Sequence, residues 1–295
     1  MNKLLTLVIP TYRSENLVLS HLKNLHKKYK IIIIENSYDK SLKRKIENKY
    51  KNVDVFLKKN IGFGRALNFA AKKVKTKYFI SINPDTTLYI NTLKNLIKAA
   101  NQIDNFGSIS PVITDKKSNK KEIIIETKKV NGPIMLFKTK TYLKINGFDK
   151  NFFLYYEEND YFTKCNILDL KLYLISNSYY NHTNSKKDNK SLSMNSVKFS
   201  NLEEKNSTHS VAAWHGNWSK FYYLRKYNGY IKAFIMCLPH ILLTTIQMLF
   251  CLFFNFNKAK YKYYKIEGFV CSAFGMPSFK RSKYDKKNIF NLYKN

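Results

Sequence analysis

Four consecutive isoleucines, Ile31-Ile32-Ile33-Ile34, constrain this chain more than any other feature. A β-branched run without a polar interruption resists helix and suits a strand buried on both faces. A sheet with one wet face would alternate apolar and polar residues instead. The run therefore argues for a parallel sheet covered by helices on both sides. The flanking sequence keeps that rhythm. Residues 4–9 read as a strand ended by Pro10, and 14–28 as a helix with Leu17, Leu22 and Leu25 on one face. A polar helix at 40–50, a strand at 53–57, a helix at 64–75, a strand at 78–82 and a helix at 92–101 follow. Strands alternating with helices at this spacing predict an α/β fold, a mostly parallel sheet flanked by helices.

After residue 105 the rhythm changes. Residues 107–113 and 130–137 read as strands on either side of a lysine-rich excursion at 116–121. A short helix at 139–145 ends at Asn146-Gly147, a suitable C-cap. Residues 172–176 form a further strand, 186–195 a polar loop, and 197–227 a long helix carrying Trp214, His215 and Trp218. Residues 233–256 then run without a Lys, Arg, Asp or Glu, and a basic tail follows.

Composition narrows the class. The 295 residues are 44% hydrophobic and 15% aromatic, enough for a substantial core. The formal charge of +32 points to an acidic partner or to a lysine-rich composition. Cys165, Cys237, Cys251 and Cys271 form no C-x-x-C pair, so neither a zinc site nor a disulfide framework is indicated. The first apolar run is too short for a signal peptide, so the chain is expected on the cytoplasmic side.

In an open α/β sheet, ligands bind beyond the carboxyl ends of the strands. Four sequence features fall on that rim: Pro10-Thr11-Tyr12, Glu35-Asn36-Ser37-Tyr38-Asp39, Asn60-Ile61-Gly62-Phe63-Gly64, and Asn83-Pro84-Asp85. A rim carboxylate such as Asp85 suits a hard cation, which one or two carboxylates and substrate phosphates hold. The competing reading of Asp85 is a turn or helix cap. Gly62 and Gly64 resemble part of a dinucleotide fingerprint, but its third glycine position is Leu67 and the motif follows the third strand. A tight turn into a helix explains them as well. Glu157-Glu158-Asn159-Asp160 crowds three carboxylates beside tyrosines, which can raise one pKa and poise a general base. The same cluster would also suit an acidic helix N-terminus. His182 and His215 read as metal or phosphate ligands, or as structural histidines.

Five segments, in order, resemble inverting glycosyltransferases of family 2, in their rhamnosyltransferase-like branch. They are VIPTYRSENL, IIIIENSYDKS, NIGFGRALNFAAK, INPDTTL and NGPIMLFKTKTYLKINGFDKNFFLYYEENDYFTKC. The resemblance covers residues 4–182, and thinner similarity continues through WHGNWSKFYYLRKYNG and EGFVCSAFGMPSFKR. It implies a GT-A fold with a catalytic core at 1–185, made of a nucleotide half at 1–104 and an acceptor half at 105–185. Residues 186–228 would be a loop and long helix, and 229–295 a helical, membrane-associating extension.

The resemblance also implies site roles. Asp85, with His182, would hold a divalent cation, Mg²⁺ or Mn²⁺. Pro10, Thr11, Tyr12, Glu35, Asn36, Asp39, Asn60, Gly62, Gly64, Asn68, Asn83 and His215 would bind the donor, dTDP-rhamnose or a UDP-sugar. Glu158 would act as base toward a lipid-linked or lipopolysaccharide-type glycan, with Glu157 and Asp160 orienting it. Three positions depart from the usual motif: Glu158 and Glu35 stand where Asp is common, and Asn146 where Gly is. A catalytically degenerate binding protein is thus one alternative. A Rossmann-type oxidoreductase and a basic nucleic-acid-binding module are two more; no nucleic-acid motif supports the last, and nucleic acid is not an expected partner.

The apolar stretch is expected to lie along the inner face of the cytoplasmic membrane as a helix or helical hairpin, the alternatives being a membrane span and a packed core or dimer helix. Lysines beside it, Lys232, Lys258, Lys260 and Lys262, would meet anionic headgroups. The sequence does not define an oligomeric state.

Overall fold

A computed structural model describes residues 3–89, 91–113, 123–182, 199 and 201–282. The lysine-rich 116–121 and the polar 186–195 lie outside the described residues. The chain forms two compact units. The first comprises Met1–Asp149 and Glu158–Lys198, the second Lys150–Glu157 and Phe199–Asn295.

The first unit is built on one mixed sheet. Its strands are β1 (Leu5–Thr11), β2 (Lys30–Glu35), β3 (Val53–Leu57), β4 (Tyr78–Ile82), β5 (Thr86–Leu88), β6 (Phe106–Ile113), β7 (Ile124–Thr127), β8 (Ile134–Lys138) and β9 (Lys171–His182). Their order is β3-β2-β1-β4-β8-β6-β9-β5, with β7 also beside β9. Strands β1 to β4 are mutually parallel, β8 runs against β4 and β6, and β9 is parallel to β6. Hence the carboxyl ends of β1–β4, β6 and β9 and the amino end of β8 share one rim. Helices α1 (Glu15–Leu25), α2 (Lys40–Lys49), α3 (Phe63–Ala71), α4 (Thr92–Gln102), α5 (Thr139–Lys144) and α6 (Glu157–Ile167) complete the α/β pattern.

The isoleucine run behaves as its composition demands. Ile31 and Ile33 enter one buried cluster with Leu5, Leu7 and Ile9, while Ile32 and Ile34 enter the other with Val8, Leu67 and Ala70. Alternate side chains thus feed two cores on opposite sheet faces.

Several expected boundaries move. Pro10 does not end β1; it pairs with Ile34, and the strand continues to Thr11. The ladder from β1 to β4 stops at Val8, so Pro10 needs no donor on that side. Helix α3 stops at Ala71, short of the expected Lys75. Strands β5 and β7 were not foreseen, being only 3 and 4 residues long. Strand β9 extends to His182, which is therefore its last residue rather than part of a following loop.

The second unit is helical: α7 (Leu202–Asn228), α8 (Tyr230–Phe254) and α9 (Phe256–Ala273). Asn201 caps α7 by accepting from the Glu204 amide, and Gly229, at φ 78°, turns the chain into α8. Helix α8 runs through Pro239. The expected basic tail is largely the helix α9. Gly268 lets α9 approach α7 closely, because a Cβ there would collide with the Trp214 carbonyl. Trp218 stacks between Trp214 and Tyr222, with Phe152 against Tyr222.

Candidate active site

The rim of the first unit is laced together by its own loops. The Asn36 amide donates to Thr11 O at 2.8 Å, and Asn60 N donates to Asn36 O at 2.7 Å. Ile61 N reaches Asn36 Oδ1 at 3.4 Å, so one side chain ties the β2 loop to the glycine loop. Asn60 and Tyr38 take left-handed φ values of 43° and 60°, and Gly62, at φ 84°, opens α3. Arg13 stands over the Tyr12 ring at 5.3 Å. Pro10, Thr11, Tyr12, Asn36, Asn60 and Gly62 are therefore gathered on one edge, with Gly64 in the first turn of α3.

Glu35 ends β2 and is fully buried. Its Oε1 accepts from the Ser37 amide at 2.5 Å and from the Ser37 hydroxyl. Oε2 is buried with no hydrogen-bond partner among the described residues. Burial lifts this carboxyl to about 7, against the lowering effect of the Ser37 bonds. Asp39 caps α2, accepting from Leu42 N at 2.9 Å. Asn68 is committed to the fold. Its Oδ1 accepts from Tyr142 Oη at 2.6 Å and Phe148 N at 3.0 Å, and its Nδ2 donates to Phe148 O at 2.8 Å.

Asp85 lies between β4 and β5 and is buried. Its Oδ2 is 3.1 Å from His182 Nε2. Pairing of β5 with β9 sets Thr86 opposite His182, which brings the two side chains together. The bond to Asp85 raises the His182 pKa, against the effect of burial. Two adjacent ligands of an octahedral ion at about 2.1 Å stand about 3 Å apart, so this hydrogen-bonded pair has the spacing of neighbouring ligands, the carboxylate being the type a hard cation favours and the imidazole the less usual one. Among the described residues no group of three or more His, Cys, Asp and Glu could hold a metal ion. The protein would then supply two ligands and leave the rest to phosphate and water, as Mg²⁺-type sites do.

His21 was not foreseen. Its Nε2 lies 3.1 Å from Pro84 O. Burial lowers its pKa, and the Pro84 carbonyl and the Asp85 charge partly restore it. A lone histidine in α1 carries no sequence signal for this role.

Glu158 is the second residue of α6. It is partly exposed, and its carboxylate has no hydrogen bond or ion pair among the described residues. Burial alone raises its carboxyl to about 7. Its charge is felt by Tyr180 of β9, whose hydroxyl is pushed up to about 12 by burial and then by Glu158. The Glu158 carboxylate rests on Gly132, where an added Cβ would meet both its oxygens. Gly132-Pro133 leads into β8 at the shared rim, and Pro133 O accepts from Asn83 N at 2.9 Å. The loop that seats Glu158 is thus bonded to the loop that carries Asp85.

Asp160 is fully buried. Glu157 belongs to the second unit, where it is buried and adds to the raised pKa of Tyr155 after burial. Tyr155 and Tyr156 both have left-handed backbone, φ 68° and 66°, which is uncommon for aromatic residues. His215 is fully buried in the second unit, with Nε2 2.8 Å from the Lys280 carbonyl.

Comparison with known proteins places the chain in a family. The family model for glycosyl transferase family 2 matches residues 6–173, more than half of the chain, and the chain belongs to that family. It is 28% identical over 112 residues to an uncharacterized glycosyltransferase of Rickettsia conorii, and spans only 18% of that protein's length. It is 24% identical over 210 residues to rhamnosyltransferase WbbL of Escherichia coli K12, covering 57% of this chain and 79% of that one. The mannosyltransferase PcManGT of Pyrobaculum calidifontis, solved with GDP-Man and Mn²⁺, superposes with TM-score 0.54 at 13% identity, covering 92% of this chain and 87% of that one. The fold is the GT-A fold of glycosyltransferases.

Proposed function

We propose that this chain moves a sugar from a nucleotide-diphosphate donor to a hydroxyl of a glycan acceptor, with inversion. The observation that carries this reading is the bonded edge between Asp85–His182 and Gly132–Glu158. Asp85 and His182 hold a divalent cation, Mg²⁺ or Mn²⁺. The chemistry such a cation supplies when bound is neutralisation of the departing diphosphate. PcManGT, solved with Mn²⁺ on the same fold, supports the use of a divalent cation.

Glu158 takes the proton of the acceptor hydroxyl. The acceptor oxygen bonds to the anomeric carbon as the bond from that carbon to the diphosphate oxygen breaks on the opposite face. A carboxylate near 7 with no partner among the described residues suits this task, because its basicity is high and no bond seen there must be broken to free it. Thr11, Tyr12, Glu35, Asn36, Asp39 and Asn60 line the nucleoside side.

Rhamnose from dTDP-rhamnose is the favoured transfer, with UDP-sugars next. The N-P-D tripeptide and the length shared with rhamnosyltransferase WbbL support it. The acceptor is a lipid-linked or cell-envelope glycan. The protein works on the inner face of the cytoplasmic membrane. Helix α8 supports that location, being long and apolar enough to cross a bilayer. It buries one stripe, Ala233, Cys237, Ile241 and Thr244, and exposes the other, Ile231, Ile235, Leu238, Leu242, Ile246, Leu249 and Phe253. Lys258 and Lys260 at the start of α9 are exposed. The direct experiment is a nucleotide-sugar panel with Mn²⁺ and a membrane glycolipid fraction, read as nucleoside-diphosphate release. Turnover with one donor supports the reading, and release from none contradicts it.

A further inference from the structure

Gly132 has no conformational reason to be glycine. Its φ lies outside the left-handed region, and it is buried just before β8. What distinguishes it is its neighbour. A Cβ at this position would collide with Oε1, Oε2 and Cδ of Glu158 at once. All three atoms belong to the free end of a flexible side chain, so a methyl group here would displace the carboxylate rather than break the fold.

From this we propose that Gly132 is a positioning residue: the space left by its missing side chain seats the longer glutamate arm at position 158 and fixes where the base presents its oxygens. The inference rests on the reading of Glu158 as the base. Glutamate reaches one methylene further than aspartate. A carboxylate on the longer arm must either overshoot the acceptor oxygen or be received in a recess. Gly132 provides that recess, on a loop held to the Asp85 loop through the bond from Asn83 N to Pro133 O. The distance from base to cation site is thereby set by backbone rather than by side-chain choice. Among the described residues the recess offers the carboxylate no donor, in keeping with burial as the cause of its raised pKa.

The recess makes a coupling prediction. Gly132→Ala should keep the fold and the donor KM yet lower kcat by ~10²-fold, the scale of a misplacement of about 1 Å. Glu158→Asp withdraws the carboxylate from the recess, so the added methyl should then cost little. The experiment compares wild type, Gly132→Ala, Glu158→Asp and the double variant. Each is assayed with the nucleotide-sugar of highest turnover in the panel, and folding is checked by thermal midpoint. The expected result is a large kcat loss in Gly132→Ala and a double variant more active than Gly132→Ala. A Gly132→Ala enzyme with wild-type kcat overturns the proposal. So does a double variant no more active than Gly132→Ala. Failure of the underlying reading is separate: it would show as a Glu158→Gln enzyme that remains active.

Discussion

The amide of Asn83 donates to the carbonyl of Pro133 at 2.9 Å, where the ladder of β4 and β8 opens onto the rim. On one side of this bond the chain runs to Asp85. On the other it runs back to Gly132, the floor beneath Glu158. Under the function proposed above, one of these tied loops carries the cation ligand Asp85 and the other the seat of Glu158.

The cation assignment predicts a proton-linked metal. His182 is raised by its bond to Asp85, and a metal ligand must be deprotonated. Mn²⁺ binding near pH 6.5 should therefore release a proton, and affinity should fall as pH falls. Calorimetry in buffers of different ionisation enthalpy measures this directly. Asp85→Ala should abolish the heat and lower turnover by ~10²-fold or more, since charge neutralisation by such an ion is worth several kcal/mol. Full turnover of wild type in excess chelator would contradict the assignment.

Glu35 predicts a stability slope. Burial raises its folded pKa to about 7, above an unfolded value of about 4.3. The folded state then holds the proton more tightly, so this contribution is complete below the unfolded pKa and is lost as pH rises through 7. Glu35→Gln keeps the shape of the protonated acid and removes the titration. Its thermal midpoint relative to wild type should rise between pH 5 and pH 8. An unchanged difference would show that Glu35 is not held protonated by the fold.

The exposed seam of α8 predicts membrane binding without dependence on the fold. Ile235, Leu242 and Leu249 are each more than half exposed. Replacing all three with serine should shift stability little, as surface changes usually do. Cosedimentation with phosphatidylglycerol vesicles at low salt should be strong for the full-length chain and weak for the triple variant. Equal sedimentation of the two, or none by either, would remove the membrane role.

Much of this was legible in the sequence because it follows from local pattern. The Ile31–Ile34 run and its neighbours declared a doubly covered sheet, and the order of strand ends declared the rim on which Asp85 and Glu35 sit. What was not legible depends on contacts distant in sequence. His21 meets Pro84 across 63 positions, a contact that exists only in the folded chain. Asn68 sits in a motif that suggests the donor, yet its three bonds go to Tyr142 and Phe148. Gly132 carries no sequence signal of its own; only the folded position of α6 gives it a partner. The helix α9 was obscured by its lysines, of which Lys258 and Lys260 are exposed and Lys262 and Lys265 half-buried.

The central claim is that Glu158 is the base that activates the acceptor. Its most direct test is single-turnover transfer by Glu158→Gln at saturating Mn²⁺ and donor, beside wild type across pH 5 to 9. Removal of one general base costs about 10²–10⁴-fold. The variant should bind donor as wild type does and lose transfer by that factor, while the wild-type rate should rise with pH through about 7 as Glu158 ionises. Transfer by Glu158→Gln at the wild-type rate, with the same pH profile, would contradict the claim.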